Sequence, residues 1–359
     1  MLDNDISQQL QQRVEQAIAD KTPLAISAGN SKKFYGSQTK GTLLDISQHS
    51  GIINYEPTEL VVTVRAGTNL KQLEEILGTE NQMFGFEPPA YAETATIGGT
   101  IACNLSGPRR PFSGAARDFV LGSKIINGKG EIIHFGGEVM KNVAGYDLSR
   151  LMVGAFGTLG VLLEVSLKVL PLPKKEKSFT LTMSYPEAFK KIQHWISEGQ
   201  PISAACYHQD SLYIRLSGAE KSVDNARQHI QRNNTLSELE AEFWLYLKEQ
   251  QLPFFKSSSA LWRISLPPAA APIQLPGEQL IDWGGALRWM VMDNDETEIR
   301  IEAEKLGGHA QLFRPATNDN AEISRNHPLS PGLFKLHQGI KQAMDPKEIL
   351  NPGYLFPQL

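Results

Sequence analysis

Cysteine is scarce in this sequence, whose 359 residues include only Cys103 and Cys206. The two residues form no CxxC pair, which argues against both a disulfide scaffold and an iron-sulfur site on this chain. This cysteine usage suits a reducing cytosol. Any iron-sulfur electron carrier that works with the protein is therefore expected on another chain.

Positive charge is not in excess either. The 35 lysines and arginines are outnumbered by 39 aspartates and glutamates, and the net charge is -4. The sequence therefore lacks the basic field that attracts polyanions. We expect no nucleic-acid partner.

Export signals and long apolar runs are also missing. The N-terminal residues MLDNDISQQLQQRVEQ lack the basic and apolar regions of a signal peptide. The longest apolar stretch, residues 161–170, is interrupted by Glu164 and Lys168 and is too short to span a bilayer. We therefore expect a cytoplasmic protein without a transmembrane segment, whose contact with the inner face of the cytoplasmic membrane would be peripheral and made through a complex.

The standard nucleotide-binding motifs are absent. The segment GAFGTLG, residues 154–160, spaces its glycines as GxxGxxG, which is not the Rossmann fingerprint. In GSKIINGKG the Gly-Lys pair lies one residue too far from Gly122 for a phosphate loop of the Walker type. A nucleotide-bearing cofactor would have to be held in another way.

Residues with a helical or strand period are easily found in the first half of the chain. Ile6, Leu10 and Val14 recur at helical spacing. Short strands are predicted at residues 24–27 and 42–46, on either side of a polar loop. This loop is the first candidate for a functional site.

Further along, a helix that begins near Thr68 or Asn69 is predicted from its capping residues. Residues 119–127 and 131–135 are typical of a hairpin, and residues 161–170 of a long strand. These elements predict an α+β first domain.

Prolines mark the end of that domain. Pro171, Pro173 and the run KKEK predict a boundary, so the first domain is expected to span residues 1–172. Residues 173–325 alternate strands and helices and predict a second α+β domain with a mostly antiparallel sheet. Residues 326–359 are expected to form a helix and a tail that packs back on the first domain.

Three glycine-rich segments stand out, at residues 28–36, 98–114 and 154–160, each beside a predicted strand or short helix. Glycine permits positive φ and lets backbone N–H groups approach a ligand without a Cβ in the way. Successive N–H groups in a turn can form an anion-binding nest. We therefore expect the three segments to converge on a phosphate-bearing cofactor.

The first of these segments has the composition of a pyrophosphate cradle. Gly29 and Asn30 tolerate left-handed conformations, Ser31 offers a hydroxyl group and Lys32 offers a positive charge. The alternative is an ordinary solvated connection between two strands. The loop alone does not decide between the two.

The second segment also allows two interpretations. Residues 97–100, Ile-Gly-Gly-Thr, precede a short helical run, so their N–H groups can face an anion at a helix N-terminus. The alternative is that the glycines permit tight packing of a helix against a sheet. Arg109, Arg110 and Arg117 can pair with a phosphate or carboxylate, but a surface position is the default expectation for each.

Two long segments resemble a known family. They read ATIGGTIACNLSGPRRPFSGAARDFVLGSKIINGKGEII and KNVAGYDLSRLMVGAFGTLGVLLEVSLKVLPLP, with AGNSKKFYG upstream and DPKEILNPGYLF at the end. They resemble the PCMH-type FAD-binding domain of the vanillyl-alcohol-oxidase class. The chain is most similar to the E-subunit family of bacterial glycolate oxidase (glycolate dehydrogenase), over nearly its whole length and most specifically through residues 94–171.

This resemblance implies a fold and a cofactor. Residues 1–172 would form a PCMH-type FAD-binding domain of two α+β subdomains, and residues 173–325 an α+β cap domain. The tail, residues 326–359, would pack back on the FAD domain. The family pattern has three glycines in the pyrophosphate loop, and in this sequence Ala28 and Asn30 replace two of those glycines.

The resemblance also carries site residues across to matching positions of this sequence. The residues expected to line FAD are Ala28, Gly29, Asn30, Ser31, Lys32, Thr96, Ile97, Gly98, Gly99, Asn104, Gly107, Ser113, Gly114, Gly157, Gly160, Val161 and Asn351. No catalytic residue or metal ligand is assigned by the resemblance.

Two absences narrow the expected chemistry. Members with covalent flavin use a histidine or cysteine that neither AGNSKK nor SGPRRPFSG offers, so FAD is expected to be non-covalent. The HxGDGNxH motif and the downstream EHG of the catalytic 2-hydroxy-acid dehydrogenases of this class have no match. The eight histidines are scattered, and of these only His309 and His327 attract suspicion as functional groups; a structural or surface position is the default for each.

Three functions remain open from the sequence. The leading hypothesis is an FAD-carrying subunit of a complex that oxidises glycolate, and D-lactate as a second substrate, to the 2-oxo acid. A larger flavin subunit and an iron-sulfur subunit would be its partners and would pass electrons to quinones. The alternatives are a self-sufficient FAD-dependent 2-hydroxy-acid dehydrogenase, with Arg263, Arg288, His309 or Arg314 near the flavin, and a scaffold that has lost flavin.

Overall fold

The computed structural model describes residues 3–37, 41–137, 147–293, 296–317 and 325–359. Residues 141–146, which open the second of the two family-like segments, lie outside these ranges. The chain divides into two compact units. Unit 1 comprises residues 1–106, 115–171 and 328–359, and unit 2 comprises residues 107–114 and 172–327.

Unit 1 is built on a five-stranded antiparallel sheet. Its strands, in spatial order, are Ile52–Glu56, Val61–Arg65, Val161–Lys168, Val120–Ile126 and Ile132–Gly136. A separate parallel pair consists of Leu24–Ser27 and Thr42–Asp45, and a short antiparallel pair of Gln82–Met83 and Leu170–Pro171. The helices described in this unit are Ser7–Asp20, Leu70–Thr79, Ile97–Cys103, Ala116–Phe119, Leu148–Leu151 and Pro331–Met344, and Pro57–Glu59 is a 3-10 turn.

Apolar periodicity explains the core of unit 1. All five residues of Val61–Arg65 are buried, as expected for an inner strand covered on both faces. The helix Ser7–Asp20 buries Leu10 and Val14 in the same core. The helix Leu70–Thr79 begins where the Asn69 side chain accepts a hydrogen bond from the backbone N–H of Gln72, which confirms one of the two predicted caps.

Ion pairs and a buried histidine join the N-terminus to this sheet. The Arg65 guanidinium lies 2.5 Å from an Asp3 carboxylate oxygen and 3.0 Å from one of Asp5. The fully buried His49 accepts a hydrogen bond at Nδ1 from the backbone N–H of Ile6, at 3.2 Å. Its Nε2 atom has no hydrogen-bond partner among the described residues. Burial is the main cause that lowers the pKa of His49 below its usual 6.5.

Unit 2 contains an eight-stranded antiparallel sheet, in agreement with the predicted α+β second domain. Its strands, in spatial order, are Ser237–Glu238, Lys175–Thr182, Ser211–Gly218, Ile202–His208, Glu278–Asp282, Leu287–Val291, Leu261–Ser265 and His309–Arg314. The described helices are Arg110–Ser113, Tyr185–Ser197, Glu220–Gln231, Glu242–Lys248 and Glu296–Lys305, with 3-10 turns at Pro253–Lys256 and Trp283–Gly285.

Helices cover this sheet through apolar stripes. Ala188, Phe189, Ile192 and Trp195 recur at helical spacing and pack in one buried cluster with the strands. Ile299 of a second helix packs in another cluster. The sheet and its helices therefore have a core of their own.

One segment belongs to a different unit from the domain in which it was predicted. Residues 107–114 were expected in the first domain, but they group with unit 2. The Trp283 indole N–H donates to the Gly107 carbonyl at 2.9 Å, and Phe112 packs against the unit 2 core. These tertiary contacts, rather than position in the sequence, assign the segment.

Candidate functional site

The first glycine-rich segment begins at the end of the strand Leu24–Ser27. A Cβ on Gly29 would lie 1.6 Å from the Thr94 carbonyl oxygen, so only glycine fits there. The Thr94 hydroxyl donates to the Gly29 carbonyl, and the Ser27 hydroxyl donates to the Asn30 side chain at 2.6 Å. Asn30 has a φ of 54°, the left-handed conformation expected for it. The loop is thus joined directly to the residues that precede the second segment.

The loop leaves backbone donors open. Among the described residues, the backbone N–H groups of Gly29, Asn30 and Ser31 have no acceptor. Lys32, by contrast, is buried with its ammonium group 3.3 Å from the Ala90 carbonyl and 5.7 Å from the centre of the Tyr91 ring. The lysine charge is therefore held by the protein, while the open N–H groups form the nest-like part of the loop.

The second segment is a helix, Ile97–Cys103, whose two glycines differ. A Cβ on Gly98 would lie 2.6 Å from the Ala66 Cβ, and the Gly98 N–H donates to the Ala66 carbonyl at 2.8 Å. Gly98 therefore serves tight packing. Within the described residues, a Cβ on Gly99 would meet only the Thr96 hydroxyl oxygen, at 3.2 Å. Thr96 caps the helix by accepting from the Gly99 N–H at 3.3 Å.

The end of this helix meets the third segment. The Ile101 carbonyl accepts from the Gly154 N–H at 3.1 Å, and the Ala102 carbonyl accepts from the Phe156 N–H at 3.0 Å. Asn104 ends the helix in the left-handed conformation. The buried side-chain oxygens Thr100 Oγ1 and Asn104 Oδ1 have no hydrogen-bond partner within the described residues. Two unsatisfied polar atoms therefore lie on this short helix and its cap.

The third segment, residues 154–160, is a turn that requires glycine. Gly157 has a φ of 72°, and a Cβ there would lie 3.0 Å from the Asn351 side-chain nitrogen. A Cβ on Gly160 would lie 2.7 Å from Ile125. Val161, which follows, is fully buried in the sheet. In this turn the glycines are needed for the backbone itself, so their presence alone does not identify a ligand.

The predicted Asn351 bridges two of these segments. Its side-chain oxygen accepts from the Ile26 N–H at 2.7 Å, and its side-chain nitrogen donates to the Phe156 carbonyl at 2.7 Å. Asn351 is buried and its own N–H donates to the Leu24 carbonyl at 3.1 Å. The carboxamide is thus occupied by backbone groups of this chain.

Three of the predicted site residues lie in unit 2, namely Gly107, Ser113 and Gly114. The Ser113 hydroxyl donates to the Arg109 carbonyl at 3.2 Å, and Gly114 has a φ of 114°. The other predicted site residues belong to unit 1.

The surface position expected for the arginines is wrong for one of them. Arg109 is buried, with its guanidinium 2.5 Å from a Glu176 carboxylate oxygen and 3.1 Å from the Ser217 hydroxyl. Arg110 is partly buried with its guanidinium 4.2 Å from the centre of a Trp283 ring. Arg117 is exposed, as expected. Burial of Arg109 follows from its place in the part of the chain that packs in unit 2.

The residues proposed for a self-sufficient dehydrogenase all lie in unit 2, and its three arginines have different partners. The Arg263 guanidinium stacks 5.2 Å from the Trp283 ring centre. The fully buried Arg288 donates to the Ala270 and Ala271 carbonyls. Arg314 donates to the Phe255 carbonyl. Both Arg288 and Arg314 are therefore engaged by backbone groups.

The two suspected histidines are neighbours, with ring centres 6.3 Å apart. His327 accepts from the Ala310 N–H and lies 3.0 Å from a Glu304 carboxylate oxygen. Burial, and then the charge of Arg263, lowers the pKa of His309. In the described ranges, no group of three or more His, Cys, Asp or Glu side chains is arranged to hold a metal ion.

Sequence reasoning missed the residues that anchor the C-terminal helix. Lys341 and Asp345 are buried and form an ion pair of 2.8 Å, and the Lys341 ammonium also donates to the Thr158 carbonyl. Their spacing of four residues was visible in the sequence. However, a lysine and an acidic residue four positions apart usually form a solvated pair on a helix surface, so nothing indicated that this pair is buried. Of the helices that the structure describes, none is long and apolar enough to cross a membrane.

Comparison with known proteins places these observations in a wider context. Residues 6–136 match the model of an FAD-binding domain family. The chain is 51% identical over 355 residues to the glycolate oxidase subunit GlcE of Escherichia coli, with 99% of each chain covered. It is 40% identical over 342 residues to a D-lactate dehydrogenase of Archaeoglobus fulgidus, covering 82% of this chain and 76% of the relative.

A solved structure shares the fold at low sequence identity. The structure of p-cresol methylhydroxylase with substrate bound superposes with a TM-score of 0.71 at 15% identity. The alignment covers 98% of this chain and 87% of that one. The predicted PCMH-type α+β fold is confirmed by this similarity together with the FAD-binding domain match.

Proposed function

This chain belongs to the family of the glycolate oxidase subunit GlcE, and we propose that it is the FAD-binding subunit of a complex that oxidises glycolate to glyoxylate. In this proposal, D-lactate is a second substrate, and electrons pass to a quinone through partner subunits. Unit 1 binds FAD and unit 2 acts as the cap. The partners are a larger flavin subunit, which holds the hydroxy-acid site, and an iron-sulfur subunit.

The observation that carries this proposal is the way that the three glycine-rich segments meet in unit 1. The first segment contacts Thr94 next to the second, and the helix-end carbonyls of the second accept hydrogen bonds from backbone N–H groups of the third. The open N–H groups of Gly29, Asn30 and Ser31 suit the two phosphates of FAD. A Cβ on Gly99 would meet no described residue other than Thr96, so this position suits close approach of a ligand to the backbone.

We propose that the FAD is bound without a covalent bond. Cys103 is the last residue of the helix in the second segment, and burial raises the pKa of its thiol to about 11. Because the thiolate is the nucleophile, a thiol of this kind is poorly suited to attack the flavin.

The chemistry divides between the cofactor and the chain. When bound, FAD accepts the electrons that glycolate gives up. The residues of unit 1 orient it through backbone donors and glycine turns, and the proposal assigns no proton transfer to a side chain of this subunit.

The proposal is tested by producing the chain alone and together with its candidate partner subunits. The flavin spectrum, release of FAD by acid and reduction by glycolate are recorded for each preparation. We expect acid-releasable FAD in the isolated chain and reduction by glycolate in the complex only. A purified chain without flavin absorbance, even after FAD is added, would support the scaffold alternative instead.

A second candidate is a self-sufficient 2-hydroxy-acid dehydrogenase. It is favoured by the similarity to a D-lactate dehydrogenase over 82% of this chain. Arg263, which has no carboxylate partner in the described part of the structure, would then bind the substrate carboxylate. Steady-state turnover of D-lactate or glycolate by the isolated chain with an artificial acceptor decides for this candidate and against the division of labour between subunits.

A substitution at Gly99 tests the position of the cofactor. We expect Gly99→Val to lower FAD content, because a branched side chain would stand where the backbone must come close to the ligand. The matched control is Gly78→Val, since Gly78 is also a helical glycine and a Cβ there meets no atom of the described residues within 4 Å. Undiminished FAD content in Gly99→Val would count against the proposed position of the loop.

A further inference from the structure

The C-terminal tail contacts both the first loop and the glycine turn. Residues 349–351 lie beside the strand Leu24–Ser27: the Leu24 N–H donates to the Ile349 carbonyl at 2.7 Å, and the Asn351 N–H donates to the Leu24 carbonyl at 3.1 Å. The tail therefore forms an isolated parallel β-bridge with the strand that leads into the first loop.

The Asn351 carboxamide connects this strand to the turn. One end accepts from the Ile26 N–H and the other donates to the Phe156 carbonyl, both at 2.7 Å. These two backbone groups lie 130 residues apart in the chain. Asn351 has a φ of 42°, a conformation that asparagine tolerates better than most residues. Its side chain thus hydrogen-bonds both segments.

A buried ion pair fixes the same tail from the other side. The Lys341 ammonium donates to Thr158 O, Leu350 O and the Asp345 carboxylate, at 2.9, 2.9 and 2.8 Å. The Asp345 carboxylate in turn accepts from the Ile349 and Leu350 N–H groups. Lys341 is the buried residue of its helix, so this helix is anchored to the turn through one side chain.

Tyr354 adds a third contact, at the far end of the first loop. Its hydroxyl donates to the Tyr35 carbonyl at 3.2 Å, and its ring centre lies 5.5 Å from that of Phe156. A Cβ on Gly36 would lie 2.2 Å from this ring. The tail therefore touches the first loop at both of its ends and the turn between them.

From these contacts we infer that residues 341–354 of the tail are the positioning element of the FAD site. Asn351 is the positioning residue, which holds the first loop and the glycine turn at a fixed distance. This inference rests on the proposed function. Asn351 does not touch the cofactor in this assignment. It acts through Ile26 and Phe156, whose backbones continue directly into Gly29 and Gly157.

Two variants separate positioning from simple stability. Asn351→Gly removes the carboxamide and keeps the positive φ without strain. Asn351→Asp keeps an acceptor for the Ile26 N–H but loses the donor to Phe156. The matched control is Asn81→Gly, because Asn81 also has a positive φ, of 55°, and is exposed.

Hydrogen exchange measured by mass spectrometry gives a readout that needs no cofactor. We expect Asn351→Gly to raise opening of residues 24–31 and 154–160 by about tenfold or more, since each loses one hydrogen bond to a buried side chain. Asn351→Asp raises opening at residues 154–160 more than at residues 24–31. The exchange of the strand Val61–Arg65 stays within about twofold of wild type in both variants and in the control.

FAD binding, measured by quenching of flavin fluorescence at 10 °C, is the second readout. We expect the FAD dissociation constant to rise about tenfold or more in Asn351→Gly and to stay unchanged in Asn81→Gly. Equal loop exchange in Asn351→Gly and wild type overturns the inference, and so does an unchanged dissociation constant. Failure of the wild-type chain to bind FAD overturns the proposed function instead, and the loop exchange then still reports whether Asn351 holds the two segments.

If Asn351→Gly does not fold, Tyr354→Phe provides a milder change, since it removes only the hydroxyl that donates to the Tyr35 carbonyl. We expect faster exchange at residues 32–37 and weaker FAD binding in that variant. Wild-type values for both would overturn the role assigned to the tail at this end of the loop.

Discussion

Replacement of Lys341 by methionine is expected to destabilise unit 1 strongly. Lys341 and Asp345 are 4% and 0% exposed, and the methionine would remove the cation while leaving the carboxylate buried. The Thr158 and Leu350 carbonyls would lose their donor at the same time. Breaking a buried ion pair by removal of one partner costs about 3–5 kcal/mol.

This value reflects two opposing effects. The Ile349 and Leu350 N–H groups still solvate the Asp345 carboxylate, which keeps the cost below that of a bare buried charge. The two carbonyls that lose their donor increase the loss of stability, because each buried group left unsatisfied costs about 1–3 kcal/mol. A loss of about 3–5 kcal/mol is therefore consistent with the contacts of this site.

Hydrogen exchange of the strand Val161–Lys168 is a suitable assay, because this strand lies in the middle of the unit 1 sheet and reports its opening. A loss of 3–5 kcal/mol corresponds to a fall in protection of about 10² to 10³·⁵-fold, at 1.4 kcal/mol for each factor of ten. The double variant Lys341→Met with Asp345→Asn removes both charges and should recover about 1–4 kcal/mol of the loss. A loss under about 1 kcal/mol in the single variant, or additive effects in the double variant, would refute the reasoning.

Three further outcomes are expected. Gly98→Ala should destabilise unit 1 by about 1–3 kcal/mol, because the added Cβ would press on Ala66. Gly99→Ala should leave the free energy of unfolding within about 1 kcal/mol of wild type. Urea unfolding of the two variants measures both effects. Burial lowers the pKa of His49 below 6.5, so the folded state favours the neutral imidazole. The stability that the neutral imidazole contributes is therefore present above pH 6.5 and is lost as the pH falls below that value. His49→Asn, whose side-chain oxygen can still accept from the Ile6 N–H, should therefore reduce the dependence of stability on pH between 7 and 5 by up to about 1.4 kcal/mol per pH unit; an unchanged slope contradicts the assignment. Cys206, which is buried and whose thiol pKa is raised mainly by burial, should resist alkylation by iodoacetamide at pH 8 until the protein is unfolded, as mass spectrometry will show.

Local patterns in the sequence were sufficient for most of the secondary structure. The spacing of Leu10 and Val14 predicted the first helix, and the two strand-like runs at residues 119–127 and 131–135 predicted the hairpin that the structure contains. The strand Ile52–Glu56 was missed, because it is only partly buried and its apolar residues do not alternate. The period of the apolar residues shows which side of a helix or strand is apolar, so it predicts best those elements that bury one side.

The sequence by itself also determined where the backbone can bend and approach a ligand, since glycine has this property wherever it stands. Only the tertiary structure decided what each glycine serves. Gly98 and Gly99 are adjacent and look equivalent in the sequence, yet one packs on Ala66 and the other has a nearly free side. That difference depends on a strand more than thirty residues away, which no local pattern encodes.

The same reason explains the tail. The motif DPKEILNPG was visible in the sequence, and Asn351 was expected to lie near the cofactor. The structure shows that its carboxamide joins Ile26 to Phe156, residues that are 325 and 195 positions away in the chain. Composition and spacing determine which groups are available to hydrogen-bond, but only the folded chain brings together the backbone donors and acceptors that those groups satisfy.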